Sequence, residues 1–566
     1  MFEIHARLHR RILSLIVAGA LGVAGTAIAA GPPSLQFSAL TDATPLGQGD
    51  IVQSTVPLNK PIRVSVVLKL RDEAKMQAFL ANARSPSSAS ASQQRMSRAQ
   101  LQGHLPTQFQ AEAVADYLKN AGFDDVSISS NRMIVNATGT TAVVQAAFKT
   151  SLVNVHTHDG RAAFANNSSI HIPAALQDTV QAVLGLQTVH MAHTLKTHVG
   201  FRIGAHFPQE FADIYNASDL PPASDVAVAV WGWGSMAQTL DDLDTFTTVN
   251  GLSPVNTQVV CTDINGIDPQ TGEGLGGSSI GDPTCNGNVD QGSLEWDMDS
   301  QIIIGMSGGV KSMTFYAAYG GYNTTITDAL NEIVSPTLGE PLPMVINASF
   351  GECERYQDAN QGGDGSMQAN DALFQIGAAQ GQTFSVSTGD AGADECGFGN
   401  PKDSASYPAS SPWVVAVSGT TLLTSANGWA NENVWAGSGG SPSSAEAAQP
   451  WQAGLTYGTF AGARGPDVAF DGNPSSGAVV LNYGHYYQVG GTSLSAPLFA
   501  GAWARILQTD PGLGFAAPHL YALPASVLHD VTSGTNHGYP TGLGWDWATG
   551  LGSFKVDAAA SALGSH

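Results

Sequence analysis

The chain has 566 residues, too many for a single core, with charged residues at 12% and a formal net charge of −23 at pH 7. That charge is divided unevenly: residues 1–199 carry 16 Lys+Arg against 11 Asp+Glu, and residues 200–566 carry 7 against 35. So acidic a body excludes nucleic acid and anionic membrane surfaces as partners, while two regions of opposite sign suit one another. Arg7, Arg10 and Arg11 precede an apolar run from Ile12 to Ile28 and the small-residue pattern Ala27-Ile28-Ala29. Residues 1–29 therefore read as a secretory signal peptide, and the protein as secreted. A membrane anchor is the competing reading, but the run is short and glycine-bearing for a permanent span.

Residues 30–59 read as a loose leader. Pro61–Leu70 alternates like a strand and Asp72–Ala83 reads as a helix; the Ser/Ala-rich Arg84–Gln94 reads as a loop. Gln108–Asn120 and Thr140–Phe148 follow as helices. Strands are expected at Val126–Ser130, Arg132–Asn136, Leu152–His156 and Ala162–Ala165, and a closing helix over Ile172–Leu184. The pattern predicts a small α+β domain, two helices on an antiparallel sheet, and the His-bearing stretch Val189–Gly204 reads as a linker.

After Gly204 the texture changes. Val226–Trp231, Ser312–Ala317, Val345–Ser349, Thr383–Ser387 and Val414–Val417 are short apolar runs of buried-strand type. Helical stretches at Met236–Val249, Leu294–Met306, Thr327–Val334 and Met367–Ala379 alternate with them, which predicts an α/β domain with a parallel sheet covered on both faces. Active sites in such sheets collect at the carboxyl ends of the strands. All four cysteines, Cys261, Cys285, Cys353 and Cys396, lie in this half; an even number in an exported chain suggests two disulfides, with three pairings open.

Three segments carry chemistry. Glu295-Trp296-Asp297-Met298-Asp299 opens an apolar helix, and Glu295 and Asp299, four apart, share one of its faces. Two carboxyls in low dielectric share a proton, although acids in a first turn also simply complement the helix dipole. Ser385-Val386-Ser387-Thr388-Gly389-Asp390 runs a strand into a glycine-rich turn, where a protonated Asp390 can donate to an oxyanion. Its plainer role is an Asx turn. Val489-Gly490-Gly491-Thr492-Ser493 runs a strand through two glycines into a helix, placing Ser493 among unpaired backbone N–H groups; the plainer role is a helix cap.

The Gly-Thr-Ser-x-x-x-Pro segment resembles the nucleophile segment of subtilisin-like serine peptidases, yet their His-Gly-Thr base segment is absent. Ser493, Glu295, Asp299 and Asp390 together resemble the sedolisin family, the serine-carboxyl peptidases. Asn347-Ala348-Ser349-Phe350-Gly351, Tyr407-Pro408-Ala409-Ser410-Ser411-Pro412 and Pro466-Asp467-Val468 add to the resemblance. It implies a ferredoxin-like activation prodomain over residues 30–195 that inhibits its own enzyme, and a subtilisin-like peptidase domain over 196–566. It further implies Ser493 as nucleophile, Glu295 as base, Asp299 as its support and Asp390 at the oxyanion, acting on protein or peptide substrates at acidic pH. One Ca²⁺ is implied near the C-terminus, on Asp530, Val531, Gly542, Gly544 and Asp546, with Val and Gly supplying carbonyls. Cys353 follows the Ser349 strand end and Cys396 the Asp390 turn, so these two are expected to pair, leaving Cys261 with Cys285. An exopeptidase of tripeptidyl type and a catalytically silent calcium-binding module are the alternatives to a secreted endopeptidase.

Overall fold

Apolar runs too short for helices and flanked by glycine-rich turns become the central strands of the larger region. The computed structural model describes residues 36–82, 95–194, 204–262, 267–269, 271–272, 279–285, 292–401, 404–426, 428–452 and 463–564. Thr257–Cys261, Val310–Ala318, Ala223–Trp233, Val345–Ala348, Thr383–Ser387, Val415–Ser425 and Val468–Asp471 lie side by side as parallel strands in that order. Short antiparallel strands, Ser279–Ile280 and Gly428–Val434, flank them. The middle strands are buried along their whole length, so both sheet faces are covered, as continuous hydrophobicity requires.

Two helices set the site. Ser293–Ser307, the acidic helix, packs on Thr492–Thr509, the serine helix. They pack tightly at Gly501, where a Cβ would come 2.7 Å from the Met306 side chain. Asn323–Val334 and Met367-bearing Ser366–Gln380 form a second helical pair. Both expected disulfides form, Cys261–Cys285 and Cys353–Cys396.

The N-terminal region is built on an antiparallel sheet in the order Asp124–Ile128, Ile134–Thr140, Pro61–Leu68, Val180–Leu184. Gln108–Ala121 and Thr141–Phe148 pack on it, the first with a Thr107 capping box and Gly122 left-handed at its C-cap. Two expectations fail here. Ile172–Leu184 is not a helix: Ile170–Pro173 and Val180–Leu184 are strands around a short 3₁₀ turn, because Pro173 and β-branched Val180 and Val183 find strand partners in other parts of the chain. The leader is ordered too, with strands Phe37–Thr41 and Ile51–Thr55 pairing with Ile170–Pro173 and Leu152–His156. The signal segment 1–29, the loop Arg84–Gln94 and residues 195–203 of the linker lie outside the described residues.

The N-terminal sheet docks on the second helical pair through a buried polar patch. Arg63 meets Asp328 at 2.5 Å, Asn136 donates to the same carboxylate at 3.3 Å, and Asn131 pairs with Asn331 at 2.8 Å.

Candidate active site

Ser493 is the second residue of the serine helix and is wholly buried. The glycines before it are forced by close approach. A Cβ at Gly490 would lie 2.5 Å from the Pro474 backbone, and one at Gly491, where φ is +109°, would lie 2.5 Å from Asp390 Oδ2. Ser493 Oγ makes no hydrogen bond among the described residues, so its hydroxyl is uncommitted. Pro497 has a further consequence. Lacking an N–H, it leaves the Ser493 carbonyl without its i+4 partner, and the Ser349 hydroxyl approaches that carbonyl at 3.4 Å.

Ser349 is the junction of the site. Its Oγ donates to Asp299 Oδ1 at 2.7 Å and accepts from Asn347 Nδ2 at 2.9 Å. It stands between the strands Val345–Ala348 and Phe350–Cys353, at the carboxyl end of the central sheet where α/β sites are expected. On the acidic helix Glu295, Asp297 and Asp299 are all buried, and they part ways. Glu295 lies one turn before Asp299 on the same face, whereas Asp297 accepts from Asn482 Nδ2 at 2.6 Å on the strand Ala478–Asn482. The helix start is fixed by Trp296, whose Nε1 donates to the Trp233 carbonyl at 3.0 Å and whose ring fills the space a Cβ at Gly232 would take. Burial pushes the Asp299 carboxyl up to about 8, against the opposing hydrogen bonds from Ser349 and Asn347. In acid this group holds a proton.

Asp390 bonds across to the serine helix. Its Oδ1 accepts from the Thr492 backbone N–H at 2.7 Å and from the Thr492 hydroxyl at 2.9 Å, so it caps the serine helix from another segment. With Oδ1 engaged by donors, a proton on this acid belongs on Oδ2, the oxygen that faces Gly491. Gly389 N–H donates to Thr492 Oγ1 at 3.0 Å and locks the turn to the helix. Sequence reasoning passed over Glu395. Its Oε1 accepts from Ala391 N–H at 2.6 Å, its carboxyl occupies the place of a Cβ on Gly389, and burial, then Asp390 and Asp394, push it well up. The available signal was a third acid five residues after Asp390, on the segment that Cys396 staples to Cys353.

The linker enters this site as a strand. Ala192 N–H donates to the Gly321 carbonyl at 2.8 Å, Met191 bridges to Tyr322, and His193 and Thr194 pair antiparallel with Gly351 and Phe350, running toward Ser349. A Cβ on Gly321 would lie 2.0 Å from the Ala192 carbonyl oxygen. The slot thus takes an extended backbone between two edges, which is how a peptide adds to a sheet.

Residues 48–189 match the family described as Pro-kumamolisin, activation domain, and residues 286–545 match the Subtilase family. Sedolisin of a Pseudomonas species is 39% identical over 528 residues, 87% of this chain and 85% of that protein. The chain belongs to the sedolisin family. Xanthomonalisin of a Xanthomonas species is 37% identical over 560 residues, covering 88% of this chain and 65% of that protein. A solved Pseudomonas sedolisin, a serine-carboxyl proteinase complexed with two molecules of pseudo-iodotyrostatin, superposes with a TM-score of 0.56. It is 39% identical, and the match covers 64% of this chain and 98% of that one. The chain is therefore a serine-type peptidase of the sedolisin family with an activation prodomain, and the strand in the slot follows directly on the residues matched to that domain.

Asp530 and Asp546 converge on one loop near the C-terminus. Gly544 N–H donates to Asp530 Oδ2 at 2.9 Å and Gly542 N–H to Asp546 Oδ2 at 3.0 Å. Asp546 Oδ1 accepts from Ala548 N–H, Thr549 N–H and the Thr549 hydroxyl, which orients the carboxyl. Among the described residues no three His, Cys, Asp or Glu side chains cluster as a metal site.

Proposed function

We propose that the protein is a secreted proenzyme of an acid-active serine-carboxyl endopeptidase. The observation that carries this reading is the Asp299–Ser349–Ser493 cluster, in which Ser349 bonds a buried acid that holds its proton well above the ordinary carboxyl range and lies beside the backbone carbonyl of a serine whose own hydroxyl is uncommitted. Ser493 Oγ attacks the scissile carbonyl while its proton passes to Glu295, and Asp299 holds Glu295 in place and compensates its charge. Asp390 passes its Oδ2 proton to the developing oxyanion and takes it back as the carbonyl re-forms. Collapse of the tetrahedral intermediate returns the proton from Glu295 to the leaving amine and leaves an acyl-Ser493. Water then attacks that ester with Glu295 again as base, releasing the carboxylic product.

The slot supports endopeptidase action, because it admits a chain that continues on the upstream side, as Val189 and His190 do before Met191. The prodomain inhibits by filling this slot, and residues 30–195 and 196–566 are the two functional parts. A calcium ion held by Asp530, Asp546 and the carbonyls of Val531, Gly542 and Gly544 would brace the C-terminal loop and supply no catalytic step.

The test is cleavage of N-acetylated, internally quenched peptides at acidic pH by protein matured from the full chain. Wild type is expected to cut them and Ser493→Ala to remain an uncut, inactive precursor. Cleavage of free-amine peptides alone contradicts the endopeptidase reading, and maturation of purified Ser493→Ala contradicts self-processing.

A further inference from the structure

Beside the slot, one prodomain side chain sits in a pocket of the peptidase body. The His190 imidazole stacks on the Tyr356 ring with centroids 3.9 Å apart and planes within 12°. Its Nδ1 lies 3.6 Å from Glu352 Oε1, and its Nε2 is 2.6 Å from the Pro45 carbonyl oxygen. Gln357 Nε2 donates to Glu352 Oε2 at 3.2 Å and fixes the carboxyl, which also accepts the Met191 backbone N–H. The surrounding cavity is about 340 Å³, and the Cys353–Cys396 disulfide forms part of its wall. That disulfide ties the strand bearing Glu352 to the turn bearing Asp390, so the pocket and the reacting centre are held in one frame.

When the prodomain leaves, His190 and Pro45 leave with it, and an aromatic wall with a buried carboxyl remains beside an open strand slot. A substrate seated in the slot as the linker is seated carries a side chain to this pocket three residues before the one that pairs with Gly351. We propose that Glu352 and Tyr356 form a specificity subsite for a cationic or imidazole side chain (Arg, Lys or His) of the substrate on the N-terminal side of the scissile bond. The ring face attracts a cation; departure of the prodomain lifts part of the burial that raises Glu352, and a docked cation draws the carboxyl to its ionised form, which then gives the cation a charge-assisted hydrogen bond. The seated His190 shows that a flat nitrogen-bearing side chain fits there. The inference rests on the endopeptidase reading above. It differs from a role for Glu352 as a mere acceptor of a backbone N–H, which is indifferent to substrate sequence and which a glutamine would also fulfil.

The experiment scans one Arg through successive upstream positions of an N-acetylated, Ala-based quenched peptide, with mature enzyme and the cut located by mass spectrometry. One position is expected to raise kcat/KM by about tenfold over Ala, chiefly through KM. Glu352→Gln is expected to abolish that gain so that the Arg and Ala peptides are cut alike. Tyr356→Leu, which keeps the carboxylate and removes the ring, is expected to cut it about threefold. A gain at no position, or a gain that survives Glu352→Gln, overturns the proposal. Should Glu352→Gln fail to mature, the wild-type scan and Tyr356→Leu decide. If wild type cuts none of the peptides in acid, the endopeptidase reading falls first and this inference with it; cleavage without an Arg preference sinks the inference alone.

Discussion

Two wholly buried aspartates in this molecule are handled in opposite ways. Asp467 is clasped by the Arg464 guanidinium, Nη1 to Oδ1 at 3.0 Å and Nη2 to Oδ2 at 2.6 Å, and it also accepts Ala416 N–H at 2.8 Å. Asp299 instead has a hydroxyl and an amide as its described partners, Ser349 and Asn347. A forked ion pair is a fixed structural joint, whereas a buried acid among neutral partners keeps a proton that chemistry can use. The second arrangement recurs: burial raises Asp471 and Glu352 to about 8 and Asp371 to about 6. The peptidase body is built around acids that are neutral in acid.

The contrast breaks most visibly at Asp299 itself. Asp299→Asn is expected to lower kcat by on the order of 10²–10⁴, because the amide cannot share a proton with Glu295. Arg464→Met is expected to act on stability, at about 3–5 kcal/mol, by stranding the Asp467 charge; denaturant unfolding beside steady-state kinetics separates the two. At Asp390 the expected loss is about 10²–10³ in kcat for Asn and Ala alike at every pH, since Asn keeps a donor but cannot hand over a proton. An Asp390→Asn enzyme with near-wild-type turnover would limit the residue to hydrogen-bond donation.

The raised acids also set the sign of stability against pH. Each has a folded value above its unfolded one near 4, so its contribution is complete below about pH 4 and is lost as pH rises through about 6 for Asp371 and about 8 for Asp299, Asp471 and Glu352. Thermal melts are expected to fall by roughly 5–10 °C between pH 4 and pH 8. A rise over that interval would contradict this account of the raised acids. The smallest effect belongs to the loop proposed to hold calcium: a chelator is expected to lower Tm by a few degrees, on the order of 1 kcal/mol, with wild-type kcat retained by the folded fraction. Asp546→Asn is expected to remove the chelator's effect.

Much of this was legible in the chain itself. Continuous apolar runs such as Val414–Val417 pointed to the parallel strands, and Gly490-Gly491 before Ser493 to the sharp approach that the Pro474 and Asp390 contacts now explain. Ile51–Thr55 carried no such signal because every residue in it is exposed, leaving no buried face to impose a period. Val180–Leu184 was misread because its partner strand, Pro61–Leu68, lies more than a hundred residues away. Ser349 was visible only as part of a supporting segment, since its junction role comes from two chain segments meeting it in space. His190 read as a linker residue for the same reason: Tyr356 and Glu352 become its neighbours only on folding.

The central claim is that carboxyl groups, Glu295 as base beside a protonated Asp299, rather than an imidazole, run the serine chemistry. Its most direct test is kcat/KM against pH for the mature enzyme on a blocked peptide, with structure monitored at each point. The account predicts full activity in acid and a decline as pH rises toward the Asp299 value of about 8, complete while the protein is still folded. A rate that climbs through neutrality to a plateau at pH 8 would contradict it.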